Sequence, residues 1–339
     1  MSPRAQQLPS RGPAEVASHP GEVDSSRDAE RSSRYRGRLA VHLFGRMRIR
    51  SNGSELPDLT CARARELLAF LLLHRDRAHR REAVADQLWG EAACADPRKT
   101  FRQALWRLQS SLAGWPTLVE PLGGDWIQLD PAARPWVDVY RFEAAYEDLR
   151  NASRAEPAPP AWRRAEEALR LYADDLLEGS SWDWCVGPRE RLRELYFLMA
   201  DDVLDRYRAA GEYASGIRLG LEVLRRDPSR ETTFRHLMQL HALAGDRTTA
   251  LRQYERCVEA LREEFGVAPG QLTRVLFEAV RGDAAGGETL SGLRSAADLA
   301  APVSGVLRGL DQLRALLSEV RREVHVEIET IEKMFEIRK

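Results

Sequence analysis

Apolar and polar positions alternate in the second half of Leu39–Arg50, where Met47 and Ile49 face away from Arg46, Arg48 and Arg50. That period reads as a strand, Ser51-Asn52-Gly53 as a turn and Glu55–Leu59 as one more short strand. The period then lengthens. Leu67, Leu68, Leu71 and Leu72 mark the inner face of a helix over 61–74, with Thr60 as its cap, and a polar turn at Arg75–His79 leads to a second helix over Arg80–Trp89, ended by Gly90. A third helix is expected over 96–113: Asp96 caps it, Pro97 suits its first position, and Phe101, Leu105, Leu108 and Leu112 share one face. Leu118–Glu120 and Trp126–Leu129 are strand-like runs around a Gly-Gly-Asp turn. A small sheet, three helices and a hairpin predict a winged helix-turn-helix over 37–135.

The pattern changes again at Trp136. Residues 136–282 read as helices at about 162–177, 188–210, 212–226, 230–244, 248–265 and 269–281, preceded by one opening at WVDVYRFEAAYEDLR. Ala210-Gly211-Glu212 and Ala244-Gly245-Asp246 lie one 34-residue period apart, as do Ile217 and Leu251, and Leu224 and Val258. This is the tetratricopeptide period, in which helix pairs stack into a solenoid. Residues 1–36, poor in large apolar side chains, are expected to be a disordered tail, and 283–298 a Gly/Ala/Ser-rich linker. In 299–339 apolar residues step by four and three from Leu299 to Met334, a heptad seam breached once at Glu327. The seam predicts a coiled coil with a second copy or with a helix of another protein; folding back onto the repeats is the alternative. The expected fold is therefore mainly α: a winged helix-turn-helix, an all-α TPR-like repeat domain and a C-terminal coiled-coil helix.

Charge sharpens this picture. The whole chain has a net charge of −1, but 37–135 hold 15 Lys/Arg against 11 Asp/Glu, whereas 136–282 hold 22 against 26. The basic excess sits on the winged segment, as a DNA footprint requires. The outer face of helix 96–113 carries Arg98, Lys99, Arg102, Gln103, Trp106, Arg107 and Gln109, with no acid after the cap. Arg suits guanine O6/N7, Gln suits adenine N6/N7, and Lys suits phosphate. Trp182 and Trp184, in a loop between helices, either anchor that loop on the repeat stack or line a ligand or partner site.

Other chemistries find no support. The four Cys lack C-x-x-C spacing, the seven His include no H-E-x-x-H, and no G-x-x-x-x-G-K-[S/T] loop occurs. No cofactor, no metal and no enzymatic activity are expected, and no membrane span, since no apolar run is long enough. The reduced Cys usage suits the cytosol.

The runs LLAFLLLHRDRAHRREAVADQLWG, RLQSSL and GGDWIQLD resemble the DNA-binding domain of the Streptomyces antibiotic regulatory protein family. VDVYRFEAAYED, GDRTTALRQYERCVEALREEFGVAPG and LTRVLFEAV resemble the bacterial transcriptional activator domain that follows it. Together the two resemblances cover about residues 39–282. They imply a cytoplasmic, nucleoid-associated activator that binds promoter direct repeats in double-stranded DNA and recruits RNA polymerase, often for a secondary-metabolite gene cluster. A protein-interaction scaffold is the alternative function. Carried over by position, the family's DNA-facing sites fall on Lys99, Thr100, Arg102, Gln103, Trp106 and Arg107. Arg102, Gln103 and Arg107 are then expected at base edges and Lys99 and Thr100 at phosphates. Trp106, at a position that is often small or basic in the family, meets a thymine methyl or packs against the wing. Trp126 replaces the family's usual Tyr.

Overall fold

The computed structural model describes residues 39–51, 54–55, 59–90, 96–112, 118–121, 125–130, 133–151 and 159–282. The expected tail 1–36, the hairpin tip 122–124, the linker 283–298 and the coiled coil 299–339 lie outside them. The chain divides after Met199 into two units.

The first unit opens with two strands where the alternation in Leu39–Arg50 predicts one: β1 (Leu39–His42) and β2 (Arg48–Ser51). The chain reverses between them at Gly45, whose φ of 73° favours glycine. Val41 and Ile49 face each other across the antiparallel pair, and both are buried. The strand expected at Glu55–Leu59 is instead β3 (Ser54–Glu55), paired with β2. On the other side β1 takes a parallel partner, β7 (Trp136–Val137), giving the order β3-β2-β1-β7. The activator-like segment therefore begins as a strand of the winged segment's own sheet.

Three helices follow the first strands. Helix α1 (Ala62–Leu73) starts one residue later than expected; its N-cap is Cys61, not Thr60, and the cap makes no side-chain bond. Residues read as a turn and a helix start form β4 (His79–Arg80), which leads into α2 (Arg81–Trp89). Helix α3 (Pro97–Ser111) is capped as the sequence predicts, with the Asp96 carboxylate accepting from the Lys99 N–H at 2.9 Å. Its inner face is Thr100, Phe101, Ala104 and Leu108, packed on α1 and α2. The hairpin β5 (Val119–Pro121) and β6 (Trp126–Leu129) pairs Val119 with Leu129, and β4 adds on the far side of β6. The wing is thus three-stranded.

Helix α4 (Asp138–Asn151) and helix α5 (Pro159–Leu171) follow. The latter stops before the expected Leu177, because the next residues run back along β1's exit. The Gly45 N–H donates to the Asp175 carbonyl at 2.9 Å, Leu177 N–H to Leu43 at 2.8 Å and Glu178 N–H to Gly45 at 2.9 Å. These bonds hold Leu177 at a φ of 52°, a left-handed backbone that no helix continues through. Beneath them Phe44, Phe142, Tyr172 and Tyr196 form one aromatic cluster, with centroids 4.6 Å apart for Phe44–Tyr172 and 4.7 Å for Tyr172–Tyr196. A single 3-10 turn at Asp183–Cys185 leads into helix α6 (Val186–Ala209), inside which the division between units falls.

In the second unit the end of α6 is followed by α7 (Tyr213–Arg226), α8 (Glu231–Leu243), α9 (Arg247–Phe265) and α10 (Gln271–Gly282). The 34-residue period is physical. Gly211 and Gly245 make equivalent left-handed turns, with φ of 72° and 83°. Helix α7 packs on α8, α8 on α9, and α10 on both α8 and α9. Met238, Ala250, Leu276 and Val280 form a core among the last three. Gly220 lets α7 approach so closely that a Cβ there would meet Leu237 at 2.7 Å. The molecule is mainly α, with a winged helix-turn-helix followed by helical repeats.

Candidate nucleic-acid interface

Helix α3 is held from behind and bare in front. Leu108 and Phe101 anchor it in the core, while Lys99, Arg102, Gln103, Trp106, Arg107 and Gln109 are exposed. Lys99, Arg102, Gln103, Trp106 and Gln109 recur at steps of three and four, so they form one stripe along the helix. Arg107 flanks that stripe and lies beside the Cys61 thiol. Burial pushes that thiol's pKa up, but the Ala64 backbone N–H, the Arg107 guanidinium and the Arg63 backbone N–H together bring it below its ordinary value.

Two of the expected positions differ. Thr100 is only 5% exposed, its hydroxyl donates to the Asp96 carbonyl at 3.0 Å, and it accepts from Arg63 at 3.3 Å. It is a buried, bonded group and not one offered to phosphate. Trp106 is 68% exposed, which overturns its packing against the wing. Arg98 pairs with Glu82 of α2 and so ties the front of α3 to its neighbour.

Two cations escaped the sequence reading. Arg63, on the first turn of α1, reaches Thr100 at the head of α3. Arg80 is exposed at the root of the wing, 5.6 Å from the Trp126 ring centre and opposite it across the strands. Each comes to stand beside α3 or the wing only through partners distant in sequence. Arg80 could have been found only by recognising His79–Arg80 as a strand.

Behind the helices sits a buried carboxylate. Glu66 of α1, 6% exposed, accepts from the Trp89 indole at 2.7 Å and from the Trp184 indole at 3.1 Å. Burial holds its pKa above the ordinary carboxylate value against both of these bonds. Trp89 also lies against Phe101 of α3, and Trp184 stacks on Trp182 and meets Phe70 edge-on. The tryptophan loop is therefore anchored on the winged helix and not on the repeat stack. It also forms part of a cleft of about 430 Å³ lined by Arg46, Arg65, Ser180 and Trp182.

The segment that supplies β7, Asp138 and Trp184 has a family. The Bacterial transcriptional activator domain matches residues 137–281. That stretch, less than half of the chain, is similar to the activator domain. It is also 25% identical over 251 residues to the Transcriptional regulatory protein MoaR1 of Mycobacterium tuberculosis, a match spanning 72% of this chain and 79% of the relative. It is 26% identical over 247 residues to the Transcriptional regulatory protein EmbR of Mycobacterium bovis, spanning 72% and 63%. Among solved structures, Mycobacterium tuberculosis EmbR in complex with a low affinity phosphopeptide has the same fold, with a TM-score of 0.63 at 21% identity over 79% of this chain and 71% of that one. The resemblance to the Streptomyces antibiotic regulatory proteins is therefore supported: residues 137–281 match the activator domain, and the relatives similar over the longer span are named transcriptional regulatory proteins. Among the described residues, no helix is long and apolar enough to cross a membrane.

Proposed function

We propose that this chain is a sequence-specific DNA-binding transcriptional activator in which α3 enters the major groove. The observation that carries this reading is the exposed stripe on α3, which offers only cations, amides and one indole, with no carboxylate after its cap. Such a face matches phosphate oxygens and base edges and repels neither. Arg102, Gln103 and Arg107 take the base edges, Lys99 the phosphate near the helix N-terminus, and Arg63 and Arg80 the flanking backbone. In this reading 37–135 is the reader and 136–282 the activator module that recruits RNA polymerase in the cytoplasm. The heptad segment 299–339 pairs two copies on promoter direct repeats. The genes served are those of a secondary-metabolite or other specialised cluster.

The test is a footprint of the full chain on genomic fragments at about 150 mM salt, beside a chain ending at Gly282, since specific contact must stand out from salt-sensitive background. Protected direct repeats, more weakly held after truncation, are expected. Protection equal in both chains would remove the pairing role of 299–339. Protection no better than on random DNA would overturn the reading.

A further inference from the structure

Nine large apolar side chains are exposed among the described residues, and eight of them lie from Val186 onward. The ninth, Trp106, stands alone on the winged segment. Of the other tryptophans described in that segment, Trp89 is buried against Glu66 and Trp126 lies half-buried under Arg80. Trp106 is instead 68% exposed in the middle of the cationic stripe, one helical turn beyond Arg102 and Gln103 and two beyond Lys99. Solitary apolar residues are common on protein surfaces. This one is set in a face whose neighbours all address a polyanion, and the surface such a face meets is fixed by charge complementarity.

We infer that Trp106 is a specificity-determining residue that reads the C5-methyl group of a thymine in the major groove. The inference rests on the proposed function and goes beyond it by naming what the indole recognises. The floor of the major groove presents acceptors and amino donors at every base pair, and its one apolar group is the thymine methyl. The face of an indole brought there beside Arg102 and Gln103 has that methyl as its apolar partner, while its N–H can still donate to a neighbouring acceptor. Gln103, three residues earlier on the same stripe, is matched to adenine N6/N7, so the two side chains together select an A·T-bearing step.

The test uses the full chain and the operator defined by the footprint, with each thymine replaced in turn by deoxyuridine, which deletes the methyl and leaves pairing intact. At one position, or two adjacent ones, the replacement is expected to weaken wild-type binding about fourfold, the factor that burying one methyl carries. Trp106→Ala should bind that duplex and the unmodified operator equally, and Trp106→Phe should keep part of the difference. The indole is exposed, so an unchanged melting curve will show that the variants fold. If uracil costs the wild type nothing at any position, or costs Trp106→Ala as much as the wild type, the inference falls while specific protection keeps the wider reading. Absence of any specific protection would bring down both.

Discussion

The Trp184 indole N–H donates to the Glu66 carboxylate at 3.1 Å, across 118 positions of sequence. The same carboxylate accepts the Trp89 indole at 2.7 Å, so one buried acid joins α1 and α2 to the loop before α6. Replacing Trp184 by Phe keeps most of the ring and removes the donor. It should cost about 1–2 kcal/mol in urea denaturation, and Trp184→Ala about 2–4 kcal/mol. Trp106→Ala, on the exposed face, should stay within about 0.5 kcal/mol of wild type. Equal effects at the two tryptophans would contradict the burial described.

Asp138 predicts a pH dependence. It is 1% exposed and accepts from the Leu43 N–H at 2.9 Å, Phe44 at 3.1 Å and Val139 at 2.8 Å. Burial outweighs these bonds and lifts its pKa from 3.8 to about 6. The nearby His42, 3.9 Å away, is itself held below its ordinary value by burial, Arg48 and Arg50. Between about pH 4 and pH 6 the folded carboxyl keeps a proton that the unfolded chain has released. This group's contribution to stability is full below that window and is lost as pH rises through it. Urea midpoints across the window should fall in the wild type relative to Asp138→Asn, which carries no such proton; parallel profiles would refute the assignment.

On α3 the exposed and buried polar groups should separate by readout. Arg102→Ala is expected to weaken operator binding by about 1–3 kcal/mol and to relax specificity at one base pair. Lys99→Ala should weaken all sequences evenly and lower the salt slope by about one unit. Thr100→Ala, which removes a buried hydroxyl, should lower the melting temperature and leave the salt slope unchanged. A change of slope at Thr100 would return it to the phosphate contacts.

The repeat turn at Gly245 makes a further demand. Its φ of 83° strains any residue with a Cβ, although no atom would obstruct one there. Gly245→Ala should therefore destabilise by about 1–2 kcal/mol through the backbone alone. A rise in melting temperature would show that the turn is not left-handed.

Helix α3 and the repeat turns were legible because their signals are local. Asp96 and Pro97 mark the start of α3 within one turn, and the 34-residue glycine spacing marks the repeat turns. What was missed depends on pairing. His79 and Arg80 become a strand only because β6 lies beside them. Leu176 and Leu177 continue an apolar pattern but leave the helix, since Leu43 accepts the Leu177 N–H and Gly45 takes the Asp175 carbonyl and the Glu178 N–H on either side. Glu66 gives no sequence signal, because its two partners lie 23 and 118 residues away. For Trp106 the sequence leaves two readings open, because spacing along a helix gives the direction of a side chain, not what stands opposite it; its exposure removes the packing one.

The strand β7, laid parallel on β1, also bears on how such regulators can be recombined. A gene fusion joined at residue 136 exchanges that strand and the Asp138 carboxylate, and so strips the Leu43 and Phe44 amides of their acceptor. The winged segment is not a detachable cassette. A chimaera of two relatives that keeps the first unit whole needs its seam beyond Tyr196, whose ring stacks on Tyr172 beneath β1's exit, and so near Met199, where that unit ends.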